Sequence, residues 1–333
     1  MRMSFSNKMY NKIFNRREEG QPFLKYFTYE DFKDVQVEDF SLALNEEEII
    51  NGKFYFKNNF KKDCLVIFVH GFGGGHYSYT KEIMFLVDHN FKVLSYDNVG
   101  TCLSKGKAIK GFNESTKDLD EVLTYLSNDE KFKNLNIYLV GHSMGAYASG
   151  INLVLHDSIK KAVLISAPLS SEEAFVEQIP FKSIAKQFNK IEKTHYPRYA
   201  SLNLIETINK TKSEVLLIHS KDDHIINFTN NFLYIKEKIK RNDVIFYSVD
   251  KKKHNPTYKD EAVKELDNLF KKLKKYKKIE DKIEFTKNYD FNKCCDLDED
   301  VMNEIITFLN KQDFLSTINF SNSYDTFEFK LVE

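Results

Sequence analysis

Three loops of this chain carry residue types that together could transfer an acyl group. The first is Gly141-His142-Ser143-Met144-Gly145, set between an apolar run at 137–140 and a small, apolar run that resumes at Ala146 with helical spacing. A serine at the tip of a tight strand-to-helix turn sits in strained backbone with its hydroxyl exposed. Strand and helix pass so closely there that the flanking positions must be nearly free of side chain. The helix that follows aims its N-terminus, with its unpaired N–H groups, at the place where an oxyanion would form. The second loop is His219-Ser220-Lys221-Asp222-Asp223-His224, and the third runs from Asp250 through three lysines to His254-Asn255-Pro256. A serine hydroxyl is unreactive until an imidazole takes its proton, and a carboxylate must hold that imidazole in one tautomer. Serine, acid and histidine follow one another here in that order, each after an apolar strand-like run. The residues alone leave Asp222 and Asp223 both open as the acid.

A fourth loop, His70-Gly71-Phe72-Gly73-Gly74-Gly75, clusters glycines that let backbone N–H groups face a ligand. The amide of Phe72, with that of Met144 directly after the serine, is the expected pair of oxyanion donors. A phosphate-cradling loop would need the lysine and Ser/Thr that are missing here. A dinucleotide loop would need an acid at the end of the next strand, and Asp97 lies in a different context.

Those loops need strands to carry them. Residues 64–69, 93–96, 137–140, 162–165, 215–218 and 244–249 are continuously apolar, as strands buried on both faces are. Helical patterns at 81–89, 119–126, 146–155 and 228–239 separate them, which predicts a mostly parallel sheet covered on both sides. Residues 35–44 alternate apolar and polar and are followed by Gly52 to Phe56, an antiparallel pair at the sheet edge. Between about 168 and 213 lies an insertion with its own stripe of Phe181, Ile184, Phe188 and Ile191, joined by Phe175 and Ile179. It is expected to form a small helical cap whose apolar side lines a substrate cleft in part. Stripes at Val263, Leu266, Phe270 and Leu273, and at Val301, Ile305, Phe308 and Leu309, predict two closing helices. The basic run 271–278 between them is expected to be a solvated helix end. With no repeat and no linker-like boundary, residues 1–333 are expected to be one domain.

Composition narrows the functions. Lys+Arg and Asp+Glu both total 49, so there is no basic excess of the kind a nucleic-acid footprint requires. No apolar run approaches the roughly 18 residues of a membrane span, and the first 20 residues lack the apolar core of a signal peptide. Cys64, Cys102, Cys294 and Cys295 show no metal-type spacing and are expected as free thiols in a reducing cytoplasm. The chemistry needs no cofactor and no metal, and the partner it implies is a small-molecule ester. Oligomeric state stays open.

The chain resembles the α/β-hydrolase superfamily, and within it serine hydrolases similar to monoacylglycerol lipases and carboxylesterases. The resemblance runs collinearly from Val66 and His70-Gly71-Phe72-Gly73-Gly74, through Tyr96-Asp97-Asn98-Val99-Gly100 and Ser104-Lys105-Gly106, to Gly141–Gly145, the Ser220–Ile226 loop and His254-Asn255-Pro256. It implies the α/β-hydrolase fold with Ser143 as nucleophile, His254 as general base and Asp223 as the acid, with Asp222 the alternative. An apolar cap wall favours an acyl chain and the cap is short, so cleavage of short-to-medium acyl esters is expected. A peptidase or thioesterase on the same residues, and a non-catalytic binding protein, are the other readings. Val99 and Cys102 stand where the family often has an arginine and a glycine. That segment is usually structural, which makes Asp97 a loop-holding residue. Lys251, Lys252 and Lys253 precede His254 where small residues are common, and are expected to face water.

Overall fold

The computed structural model describes residues 4–311; residues 1–3 and 312–333, which the one-domain expectation also covers, lie outside the described residues. In chain order the strands are β1 (Gln36–Ala43), β2 (Ile49–Phe56), β3 (Cys64–Val69), β4 (Val93–Tyr96), β5 (Asn136–His142), β6 (Ile159–Ile165), β7 (Glu214–Ser220) and β8 (Ile245–Val249). They form one eight-stranded sheet in the order β1-β2-β4-β3-β5-β6-β7-β8. β2 pairs antiparallel with both β1 and β4, and every other neighbouring pair is parallel. The predicted edge hairpin is thus present, and the continuously apolar runs are the parallel strands, but the run at 244–249 is not buried on both faces: β8 is the other edge of the sheet and leaves Ile245 exposed.

Alternate residues explain those runs. Leu65, Ile67 and Val69 of β3 face one apolar cluster, and Val66 and Phe68 face the other. A strand covered on both sides has no polar face to show. In chain order the helices are α1 (Phe5–Phe14), α2 (Thr80–Asp88), α3 (Glu114–Asn128), α4 (Met144–Asn152), α5 (Ser171–Gln178), α6 (Lys182–His195), α7 (Leu204–Lys210), α8 (Tyr234–Lys238), α9 (Asp260–Leu273), α10 (Ile279–Thr286) and α11 (Glu299–Asn310). The first cluster joins β3 and β5 to α3 and α4, and the second joins them to α2 and α11. The helix expected over 228–239 is shorter: a π-type turn, Thr229–Leu233, leads into α8.

The β6–β7 connection makes α5, α6 and α7. Leu204 at the start of α7 fills the space over Gly150 of α4, where an added Cβ would lie 2.3 Å from Leu204 Cδ2. The N-terminal segment supplies what composition did not suggest. Ser4 Oγ accepts from the Asn7 amide at 3.2 Å and starts α1, whose Tyr10 and Phe14 lie four residues apart on one face. That face packs on α6: the rings of Tyr10 and Phe188 are 5.2 Å apart, and Tyr10 Oη donates to Glu192 Oε1 at 2.6 Å.

Candidate active site

The turn from β5 into α4 places Ser143 at φ 55°, ψ −118°, the left-handed side of backbone space that a non-glycine residue enters only under constraint. The glycines beside it are there because nothing larger fits. A Cβ on Gly141 would lie 2.4 Å from the Gly145 carbonyl oxygen, and one on Gly145 would lie 2.2 Å from that of Val69.

Ser143 Oγ lies 2.9 Å from His254 Nε2, and His254 Nδ1 lies 2.8 Å from Asp223 Oδ2. An ionised carboxylate only accepts, so Nδ1 carries the proton and Nε2 offers its lone pair to the serine hydroxyl. Asp223 is buried, and Ser143 and His254 are half-buried. Burial alone would push the Asp223 carboxyl up. Hydrogen bonds from His219 and His254, the charge His254 can carry, and the Ile226 amide hold it well below the usual carboxylate range instead. Its Oδ1 accepts from the amides of Ile225 and Ile226 at 2.8 and 3.0 Å.

Asp222 turns the other way. It accepts from Ser220 Oγ at 2.6 Å and from the Lys253 amide at 3.0 Å, joining the β7 loop to the β8 loop. The lysines before His254 do not all face water as expected. Lys252 is buried between Asp298 (2.6 Å) and Asp260 (2.8 Å), and Lys253 pairs with Asp267 of α9, so only Lys251 stands exposed. The partners lie on α9 and just ahead of α11, too far along the chain for the loop sequence to announce them.

Met144 and the β3 loop that carries Phe72 border the serine. Met144 opens α4, and the β3 loop comes so close that a Cβ on Gly71 would lie 3.4 Å from Ser143 Cβ. Among the described residues neither the Phe72 nor the Met144 amide has a backbone acceptor. Asp97 holds the neighbouring loops, accepting from the His76 and Leu103 amides at 2.7 and 2.9 Å. His219 escaped the sequence reading: its Nε2–H is shared between the Ile226 carbonyl at 2.9 Å and Asp223 Oδ2 at 3.3 Å. A polar residue inside the apolar end of β7 was the available signal.

The stripe of the insertion does not form a single wall. Phe188 is fully buried, and Phe175 and Ile179 nearly so, whereas Phe181 is 65% exposed and Ile184 half-buried. The reason is α1, which covers the apolar side of α6 and makes Phe188 a packing residue. The aromatic contacts run on into the β3 loop: Phe188 to Phe175 (5.5 Å between ring centres), Phe175 to Phe14 (6.2 Å) and Phe14 to Phe72 (5.8 Å), with Phe72 43% exposed.

This fold, with a serine at a strand–helix elbow, belongs to the α/β-hydrolases. Residues 61–234 match the family model described as serine aminopeptidase, S33, and the chain belongs to that hydrolase family. A search of curated protein sequences finds no match. Among solved structures, the Pyrococcus furiosus esterase Pf2001 superposes with a TM-score of 0.58 at 18% identity, covering 79% of this chain and 97% of that one. Est1E from Butyrivibrio proteoclasticus, solved with ferulic acid bound, gives 0.53 at 17% identity, covering 70% and 97%. The Pyrococcus horikoshii acylaminoacyl peptidase gives 0.50 at 17%, covering 67% of this chain and 38% of the peptidase. At these identities the likeness is one of fold. Among the described residues no helix is long and apolar enough to cross a membrane.

Proposed function

We propose that this protein is a serine hydrolase that cleaves carboxylic esters of short-to-medium acyl chains through an acyl-enzyme on Ser143. The observation that carries the reading is the line Ser143 Oγ, His254, Asp223, with links of 2.9 and 2.8 Å and a tautomer suited to a base. In this mechanism His254 Nε2 takes the serine proton as Oγ attacks the ester carbonyl, and Asp223 stabilises the imidazolium that forms. The amides of Phe72 and Met144 receive the oxyanion. His254 then gives its proton to the leaving alcohol. Water, activated by the same imidazole, releases the acid. The insertion at 168–213 acts as the cap of a single domain, and the exposed Phe72, backed by the buried Phe14 and Phe175, gives the acyl side an apolar border.

The other reading on the same residues is a peptidase, which the family's description as serine aminopeptidase favours. Both readings are tested by measuring kcat/KM along p-nitrophenyl esters from acetate to palmitate, beside a series of aminoacyl amides. Each methylene buried is worth about 0.8 kcal/mol, roughly fourfold in kcat/KM. Rates should climb by about that factor until the border is filled, then fall for long chains. Ser143→Ala should lower kcat by a factor on the order of 10⁴ and abolish labelling by a fluorophosphonate. Preference for the amides would promote the peptidase, and a Ser143→Ala variant with parental turnover would remove both.

A further inference from the structure

Two side chains that this mechanism leaves unused connect its three loops. Tyr79 Oη accepts from the Gly71 amide at 3.1 Å and lies 2.8 Å from His142 Nδ1, while His142 Nε2 lies 2.7 Å from the His254 carbonyl oxygen. The donors follow from the last contact. A carbonyl can only accept, so Nε2 carries the proton. In a neutral ring Nδ1 is then a lone pair, which the tyrosine hydroxyl fills. Burial, and next the nearby His254, push His142 down to about 3, so the ring is neutral at any ordinary pH. Every link in the line thus has one donor and one acceptor.

We propose that Tyr79 and His142 are positioning residues: a hydrogen-bonded strut that sets the base loop and the β3 loop relative to Ser143. The inference rests on the hydrolase reading above. One end of the strut holds Gly71, whose neighbour Phe72 carries the proposed oxyanion amide. The other end holds the main chain of His254 itself. The middle, His142, lies in the elbow beside the nucleophile. Gly71 is fitted to the strut, since a Cβ there would come 2.8 Å from Tyr79 Oη. The neutral state of His142 matters too, because its ring centre is 4.8 Å from that of His254. A cation there would oppose the imidazolium that acyl transfer creates.

Tyr79→Phe removes a single oxygen and tests the strut with little risk to folding. A misplacement of about 1 Å at reacting groups can cost about 100-fold in rate, so the smaller shift expected here should lower kcat by about 10-fold or more with KM within about threefold. Rates are to be normalised to the serines a fluorophosphonate titrates. A merely structural role would reduce the number of reactive sites and leave the rate per site unchanged. His142→Gln keeps an N–H for the His254 carbonyl and should retain more activity per site than His142→Leu. In the parent, ¹⁵N NMR should show His142 as the neutral Nε2–H tautomer throughout the near-neutral range. Parental turnover per site in both Tyr79→Phe and His142→Leu would overturn the proposal, as would an Nδ1–H tautomer or a mid-range titration of His142. A parent that neither turns over any ester or amide nor labels would overturn the hydrolase reading instead, an outcome the NMR measurement does not depend on.

Discussion

Beneath the His254 loop, Glu82 in the first turn of α2 is a buried carboxyl whose partner is a hydroxyl rather than a cation: Thr257 Oγ1 donates to its Oε1 at 3.1 Å. Burial pushes this group up from the ordinary 4.5 to about 7, against the smaller pull of its own amide, Thr257 and Lys81. The folded state therefore holds the proton more tightly than the unfolded chain. Its contribution to stability is fully present below about pH 4.5 and is lost as the pH rises through 7. With those two values, the charging penalty is about 0.8 kcal/mol at pH 5 and about 3.3 kcal/mol at pH 8. Glu82→Gln cannot charge and avoids that penalty. The amide brings a fixed cost of its own in unpaired N–H groups, but a fixed cost is the same at both pH values and cancels in the comparison. Relative to the parent, Glu82→Gln should therefore gain about 2.5 kcal/mol between pH 5 and pH 8. At roughly 1.5 °C per kcal/mol for a chain of this size, the melting difference should move by about 4 °C in the variant's favour. Parent and variant are melted side by side at the two pH values. Parallel curves, or a variant that loses ground at pH 8, would refute the reasoning.

Other substitutions separate neighbours that look alike in the sequence. Asp223→Asn should lower kcat by a factor on the order of 10⁴ through loss of the imidazole's tautomer, whereas Asp222→Asn, which disturbs only the Ser220 and Lys253 links, should cost far less. Steady-state kinetics on one ester rank the two. Gly145→Ala should prevent the elbow from closing, because its Cβ would meet the Val69 carbonyl backbone at 2.2 Å; loss of folded protein or a large fall in melting temperature is the expected result. Phe188→Ala should cost about 3–5 kcal/mol of stability, while Phe181→Ala, at an exposed position, should stay within about 0.5 kcal/mol. Urea unfolding of the pair tests whether the stripe is packing at one end and surface at the other.

What could be read in advance was what local physics compels. A strand with helices on both faces must be apolar throughout, so β3, β5, β6 and β7 were visible. A turn in which strand and helix touch must have glycines at 141 and 145, so the elbow was visible too. Asp222 and Asp223 differ only in how the loop curls, and no local rule decides which carboxyl faces the imidazole. The helix α1 has just Tyr10 and Phe14 buried among polar neighbours. Its face becomes apolar enough to matter only when α6 is there to receive it. The same holds for Lys252, whose carboxylate Asp298 lies 46 residues on. In each case the deciding partner is distant in sequence, and a pattern read along the chain contains no trace of it.

The loop after β4 is held by another such distant partner. The family resemblance places an arginine where this chain has Val99, and Val99 is fully buried in the apolar core. A guanidinium reaches the loop all the same. Arg17 donates to the carbonyls of Cys102 (2.9 Å), Ser104 (3.0 Å) and Gly106 (2.8 Å), across more than 80 residues of chain. The planar fork spreads these bonds over two nitrogens, Nη1 to Ser104 and Gly106 and Nη2 to Cys102. Those carbonyls belong to the loop that Asp97 braces from the other side through the His76 and Leu103 amides. Since His76 follows the glycines of the β3 loop, the brace extends toward Phe72. The loop is therefore anchored despite the departure at Val99, from a segment that lies ahead of the residues the family model matches.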